Sequence, residues 1–211
     1  MGNLKLVCFD LDDTLIREIH SVMLPCILNG KEKEHSLIQE QEERGVIDYI
    51  SADYLRAELL TGLEESIISQ CFLDIAKPLK NIKSVVEILH ENSIKCIVIT
   101  VGPRQVAKVV CNLWGLDDYS GSDYEVIDGA FTGRILNYIG AEQKIDNLKD
   151  FCKNNNIKPE ECIAVGDGST DIPLFKYCGK SIAINSSPNV RKSAMFAVDT
   201  DDLTDILQYI L

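Results

Sequence analysis

Leu4-Lys5-Leu6-Val7-Cys8-Phe9 runs without a break into Asp10-Leu11-Asp12-Asp13-Thr14-Leu15. A short, nearly continuous apolar run reads as a strand covered on both faces, and the burst of carboxylates marks its carboxyl end. Ligands of an open α/β sheet gather at that end. Asp10 and Asp12 lie two apart on an extended chain, so their side chains point the same way. Two like charges so close repel, and a divalent cation is the simplest means of keeping both ionised. Turn-forming aspartates closing a strand would look the same over this stretch alone.

Working outward, residues 95–100 (KCIVIT), 162–165 (CIAV) and 181–184 (SIAI) repeat the buried-strand pattern. Helical periodicity occupies residues 81–92, 103–113 and 141–154, and a further helix starts within 171–177. Strands alternating with helices predict βαβ units and a doubly wound α/β fold with a parallel sheet. Asp128-Gly129, set between alternating residues over 124–135, predicts a β-hairpin. Residues 17–79 break the alternation: they hold no strand run, are rich in charge, and space Leu55, Leu59 and Leu60, then Ile67, Ile68 and Cys71, as helices do. The chain therefore reads as an α/β core built from residues 1–16 and 80–211, with a small helical cap, 17–79, inserted after the first strand. Residues 31–44, heavy in Lys and Glu, read as a solvated helix or loop.

Composition narrows the function. The 211 residues are 45% hydrophobic and 26% charged, ordinary globular values. A net charge of −12 argues against a nucleic-acid partner, which needs a basic face. It also means that any anionic substrate must be met by local cations. No run of 18 apolar residues suggests a membrane span. The start of the chain leaves no room for a signal peptide, and Gly2 lacks the Ser or Thr at position 6 that myristoylation requires. The expected location is the cytoplasm. Eight cysteines without a CxxC pair read as reduced thiols acting as small hydrophobes.

The acidic theme recurs. Residues 162–165 lead into Gly166-Asp167-Gly168-Ser169-Thr170-Asp171, a second strand ending in carboxylates, with glycines that let backbone approach a ligand. Asp171 precedes an apolar helix, so capping is an alternative role for it. The strand at 95–100 ends in Thr100-Val101-Gly102-Pro103 before a helix, where a hydroxyl beside free N–H groups can cradle phosphate. Lys144, near the start of a helical run, offers the missing positive charge; a solvated helix lysine is the alternative.

In order and spacing, Asp10-x-Asp12-x-Thr14, Thr100, Lys144 and Gly166-Asp167-Gly168-x-x-Asp171 resemble the four motifs of the haloacid dehalogenase superfamily phosphatases. The glycine-rich fourth motif and the helical insertion are similar to its phosphoserine phosphatase branch. That resemblance implies Asp10 as the nucleophile that becomes an aspartyl-phosphate, and Asp12 as the acid that protonates the leaving oxygen and later activates water. It implies Mg²⁺ held by Asp10, the backbone carbonyl of Asp12, and Asp167, with Asp171 orienting a metal water or Lys144. Thr100, the Val101 N–H and Lys144 would bind the phosphoryl oxygens of a small-molecule phosphate monoester. Thr170 stands where an Asn is often found, and Arg56 where relatives place an arginine for the substrate carboxylate. Two departures stand out. The usual Ser-Gly-Gly reads Thr100-Val101-Gly102, and the glutamate expected nine residues after the nucleophile is Ile19, with Glu18 beside it. A phosphotransferase or mutase on the same site, or a non-catalytic binding protein on this fold, are the competing readings.

Overall fold

The computed structural model of the chain describes residues 4–211; Gly2 and the rest of residues 1–3 lie outside them. In chain order, β1 (Leu6–Phe9) and a two-residue β2 (Ile16–Arg17) precede four helices, α1 (Met23–Leu28), α2 (Glu32–Glu43), α3 (Tyr49–Glu58) and α4 (Ser66–Ile75). Then come β3 (Lys77–Pro78), α5 (Ile82–Glu91), β4 (Lys95–Pro103), α6 (Arg104–Trp114) and the pair β5 (Asp118–Ile127) and β6 (Ala130–Asn137). The chain finishes with α7 (Ala141–Asn155), β7 (Cys162–Gly166), α8 (Ile172–Tyr177), β8 (Lys180–Ile184), α9 (Pro188–Arg191), β9 (Phe196–Val198) and α10 (Leu207–Ile210).

Seven strands form one sheet in the order β6-β5-β4-β1-β7-β8-β9, parallel throughout except for the antiparallel β5–β6 hairpin. This is the doubly wound α/β core expected from the strand–helix alternation. Alternate residues of the central strands enter different layers, as continuous apolarity demands. Val7 and Phe9 of β1, Val98 of β4 and Val165 of β7 share one hydrophobic cluster with α5 and α6. Leu6, Cys8, Ile97, Ile99 and Ala164 share the other with α7 and α8. Asp10 thus leaves the middle of the sheet, flanked by strand ends on both sides.

Three features refine the sequence reading. β4 runs on to Pro103 because Val101 and Pro103 are buried and β5 continues beside them, pairing Pro103 with Ser122. β9 was not expected; three half-buried residues are too few for periodicity to register. Residues 31–44 resolve as a helix, α2, mostly exposed but burying His35. The hairpin turn is as expected: Asp128 and Gly129 both have positive φ, 51° and 84°, the pair that a type I′ turn needs.

The helical segment is tied to the core at several places. β2 and β3 pair antiparallel, Ile16 with Pro78, where the chain leaves and re-enters the core. Phe72 of α4 meets Trp114 of α6 edge-to-face, with ring centroids 6.0 Å apart. The loop after α3 hydrogen-bonds to β6, Gly62 N–H to Phe131 and Phe131 N–H to Leu63. Helices α2 and α3, by contrast, reach over the carboxyl ends of β1 and β4. Among the described residues no helix is long and apolar enough to cross a membrane.

Candidate active site

Leu11 and Leu15 are fully buried, and the Leu11 carbonyl accepts from the Leu15 N–H at 2.8 Å, so apolar anchors hold the loop after β1 in a tight turn. Asp10, just before these anchors, and Asp12, between them, face a cavity of about 240 Å³. Thr100 and Val101 from β4, Lys144 from α7, and Asp167 and Thr170 beyond β7 line it, as does Arg56 from α3. Every expected site residue is therefore in one cavity except Asp171, which sits behind Lys144. A larger cavity of about 700 Å³ lies between α6 and the loop before α4 and holds none of them.

Lys144 is almost fully buried and donates to Asp10 Oδ1 at 2.5 Å and Asp171 Oδ1 at 2.9 Å. Burial opposes its charge, but the Asp10 and Asp171 carboxylates outweigh that and hold the ammonium above its ordinary value. Asp171 Oδ2 accepts from the Gly168 N–H at 3.1 Å. A Cβ on Gly166 would stand 2.4 Å from the Asp171 carboxyl, so only glycine fits there. Thr14, buried below, reaches Asp10 Oδ2 and Asp167 Oδ1 at 3.5 and 3.3 Å. Thr100 Oγ1 accepts from the Gly102 N–H at 3.1 Å, fixing the hydroxyl at the start of the cradle.

Charge in the cavity is lopsided. Burial, then the Asp171 charge, hold the Asp10 carboxyl well above the usual carboxylate range, with Lys144 pulling the other way. Burial raises Asp12 as well, against hydrogen bonds from Ser21. Asp167 is pushed up to about 7 by burial first and Asp171 next. Four carboxylates therefore share one lysine. Asp10, Asp167 and Asp171 each present an oxygen within 4.8 Å of the others. Lys144 and the Gly168 N–H hold the two oxygens of Asp171 at 2.9 and 3.1 Å, whereas Asp10 Oδ2 and Asp167 Oδ1 meet only Thr14, at 3.5 and 3.3 Å, which leaves Asp10 and Asp167 for a cation. An all-oxygen set with uncompensated negative charge fits Mg²⁺.

Several residues at the site carried no readable signal. Ser21, fully buried, donates from its N–H and hydroxyl to the two oxygens of Asp12, at 2.5 and 2.6 Å. A Cβ on Gly102 would strike the Ser21 Oγ at 1.9 Å, so Gly102 makes room for this clamp. His20 bonds Asp13 at 2.9 Å, which raises the imidazole to about 9. Arg56, 4% exposed, is already held: Nη1 donates to Asp53 at 3.2 Å, and Nη2 to Glu42 at 2.5 Å and Gln39 at 3.1 Å. Tyr138 donates to the other Asp53 oxygen at 2.8 Å. Ile19 packs against the core, and Glu18 is exposed with φ 64°, so this stretch is not helical. Glu18 borders a neighbouring surface pocket instead of the catalytic cavity.

Comparison with known proteins supplies the relatives. A family model described as haloacid dehalogenase-like hydrolase matches residues 7–176. A phosphoserine phosphatase of Streptococcus thermophilus is 30% identical over 206 residues, 97% of this chain and 95% of that protein. The phosphoserine phosphatase of Saccharomyces cerevisiae is 30% identical over 209 residues, 98% of this chain and 67% of its own. A structure titled as the phospho-aspartyl intermediate analogue of phosphoserine phosphatase superposes with a TM-score of 0.83 at 25% identity, covering all of both chains. A haloacid dehalogenase family hydrolase from Salmonella enterica serovar Typhi superposes at 0.88 and 23% identity over all of this chain and 72% of that one, a likeness of fold.

Proposed function

We propose, from the premise that the chain belongs to the haloacid dehalogenase-like hydrolases and resembles their phosphoserine phosphatases, that it hydrolyses a small phosphate monoester through an aspartyl-phosphate on Asp10. One observation carries the assignment of the nucleophile. Asp10 stands at the end of the central strand with Lys144 on one oxygen, in the cavity that also holds Asp12.

The Asp10 carboxylate attacks phosphorus, and the bond from phosphorus to the ester oxygen breaks. Asp12 gives its proton to the departing alcohol, and burial suits it to that role by raising its carboxyl. Ser21 holds both Asp12 oxygens, so the acid does not swing away. Asp12, now a carboxylate, takes a proton from the water that attacks the aspartyl-phosphate, and inorganic phosphate leaves with Asp10 restored. Thr100, the Val101 N–H and Lys144 bind the phosphoryl oxygens, and Thr170 borders them. Asp10, the Asp12 carbonyl and Asp167 would hold Mg²⁺, which when bound supplies positive charge against the phosphoryl group. Asp171 positions Lys144. Arg56 belongs to the leaving-group end. Residues 17–79 act as a lid that excludes water during the first step, and residues 1–16 and 80–211 as the catalytic core. A cytoplasmic location is supported by eight free cysteines, seven of them buried.

The experiment is phosphate release from p-nitrophenyl phosphate and a panel of metabolite esters with Mg²⁺ present. Turnover, abolished in Asp10→Asn, is the expected result. An inert wild-type protein that stays folded would sink the proposal. Phosphoserine is not expected to dominate the panel, because Ile19 offers nothing to an ammonium group.

A further inference from the structure

The cavity's far end, formed by α2 and α3, shows what kind of leaving group it accepts. Among the described residues, three side chains lining the cavity can carry positive charge: Lys144, His20 and Arg56. Each already faces a carboxylate. Lys144 lies between Asp10 and Asp171, His20 bonds Asp13, and Arg56 lies between Glu42 and Asp53. Lys144 is placed to exchange partners with an incoming phosphoryl group. Arg56 is not so placed, because its two acids come from the same helical layer and hold it 96% buried.

A carboxylate or second phosphate on the substrate is bound best by two adjacent guanidinium N–H groups. Both terminal nitrogens of Arg56 already donate to protein acceptors, and only Nε lacks one. To bind Arg56, an anionic leaving group would have to displace Glu42 from the guanidinium or strip buried Asp53 of its only cationic partner. Glu42, Arg56 and Asp53 together carry one excess negative charge. Asp53 is closed off, since its two oxygens take Arg56 and Tyr138. Glu42 differs: its side chain is 22% exposed, it lines the cavity, and only Oε2 meets the guanidinium. Among the described residues no protein donor reaches its Oε1.

We propose that the leaving group carries an ammonium and no second anionic group, so that the substrate is an amino-alcohol phosphate whose cation is met by Glu42. This rests on the reading of Asp10 as nucleophile and extends it to the substrate class. Tyr49 and Tyr124, which also line the cavity, add aromatic surface of the kind that favours cations.

The test is kcat/KM for phosphoethanolamine, phosphoserine and glycerol 3-phosphate, with p-nitrophenyl phosphate as a reference ester that has neither group. Phosphoethanolamine should exceed both of the others by about tenfold or more, the size expected of one charge-assisted contact. Glu42→Gln should cut the phosphoethanolamine-to-phosphoserine ratio by about the same factor, because it removes the negative charge that meets the ammonium and loosens Arg56 together. A wild-type preference for phosphoserine or glycerol 3-phosphate overturns the inference while leaving Asp10 in place, as does an unchanged ratio in folded Glu42→Gln. Failure to turn over any ester, the reference included, overturns the nucleophile assignment and this inference with it.

Discussion

Two buried cations, each clamped between two carboxylates, stand at opposite ends of one cavity. Lys144 sits at the floor between Asp10, at the end of β1, and Asp171, in the turn that leads from β7 into α8. Arg56 sits in the roof between Glu42 and Asp53, from two neighbouring helices. The local chemistry is alike and the surroundings are not. At the floor the lysine is 1% exposed and its acids 8% and 1%, and further carboxylates crowd around, so the cluster is short of positive charge. In the roof the excess is a single negative charge, and Glu42 reaches water. The floor therefore awaits a cation and a phosphoryl group, whereas the roof leaves only Glu42 open. Burial alone does not make a salt bridge catalytic; an unsatisfied remainder of charge beside it does.

The contrast breaks most decisively at Asp10. Asp10→Asn should keep the fold and lose about 10³-fold or more in kcat, since an amide cannot serve as the nucleophile. Steady-state kinetics alongside thermal unfolding would show it, and near wild-type turnover in a folded variant removes the floor's assigned role.

The two cations can then be compared directly. Lys144→Met leaves two deeply buried carboxylates unpaired and should cost about 3–5 kcal/mol in the metal-free protein. Arg56→Met should cost about 1–3 kcal/mol, because Glu42 can turn to solvent. At roughly 2–4 °C per kcal/mol for a chain of this size, calorimetry separates these outcomes. Equal losses would erase the distinction between floor and roof.

The roof also has its own response to pH. His35 on α2 is 5% exposed, its Nε2 lacks a partner, and burial, followed by the charges of Arg56 and His20, pulls it down to about 4. Its ordinary value, kept in the unfolded chain, is 6.5. Between those values the unfolded chain binds the extra proton, so this stability is complete above pH 6.5 and drains away as pH falls toward 4. The loss should be roughly 3 kcal/mol in all, of which about 2 kcal/mol falls between pH 7.5 and 5. Urea unfolding of wild type and His35→Phe at pH 7.5 and 5 measures it. A gap between the two proteins that does not change with pH excludes His35 as the source.

A smaller effect marks the floor's missing charge. At ten times its Kd, Mg²⁺ should stabilise the protein by about 1.4 kcal/mol. The shift should shrink in Asp167→Asn and remain intact in Arg56→Met. Mg²⁺ stabilising Asp167→Asn as well as wild type would place the cation elsewhere.

The smallest expected change is dynamic. With Mg²⁺ and a metal-fluoride phosphate mimic, amide exchange should slow in α2 and α3 over the cavity, and little in α4, which Phe72 already docks on Trp114. Uniform slowing across residues 17–79 would make the whole segment the moving part, and no slowing at all would end the lid proposal.

Much of this was readable before folding was considered. The α/β alternation and the acids at 10, 12, 167 and 171 follow from patterns that operate over a few residues. Buried strands are continuously apolar, helices repeat near 3.6, and a strand's carboxyl end is where polar residues resume. Even Lys144, whose sequence context also suits a solvated helix lysine, could be recovered from motif order. The clamp of Ser21 on Asp12, the partners of Arg56 and the neutral burial of His35 could not. Glu42 and Asp53 are ordinary acids of charged helices, 14 and 3 residues from Arg56. Short-range periodicity decided the frame of this protein and the position of its nucleophile. The packing of α2 against α3, and of both over the strand ends, decided which charges stayed open to a substrate. A side chain's free valence depends on which neighbours the packing brings into contact, and spacing along the chain does not say which acids those are.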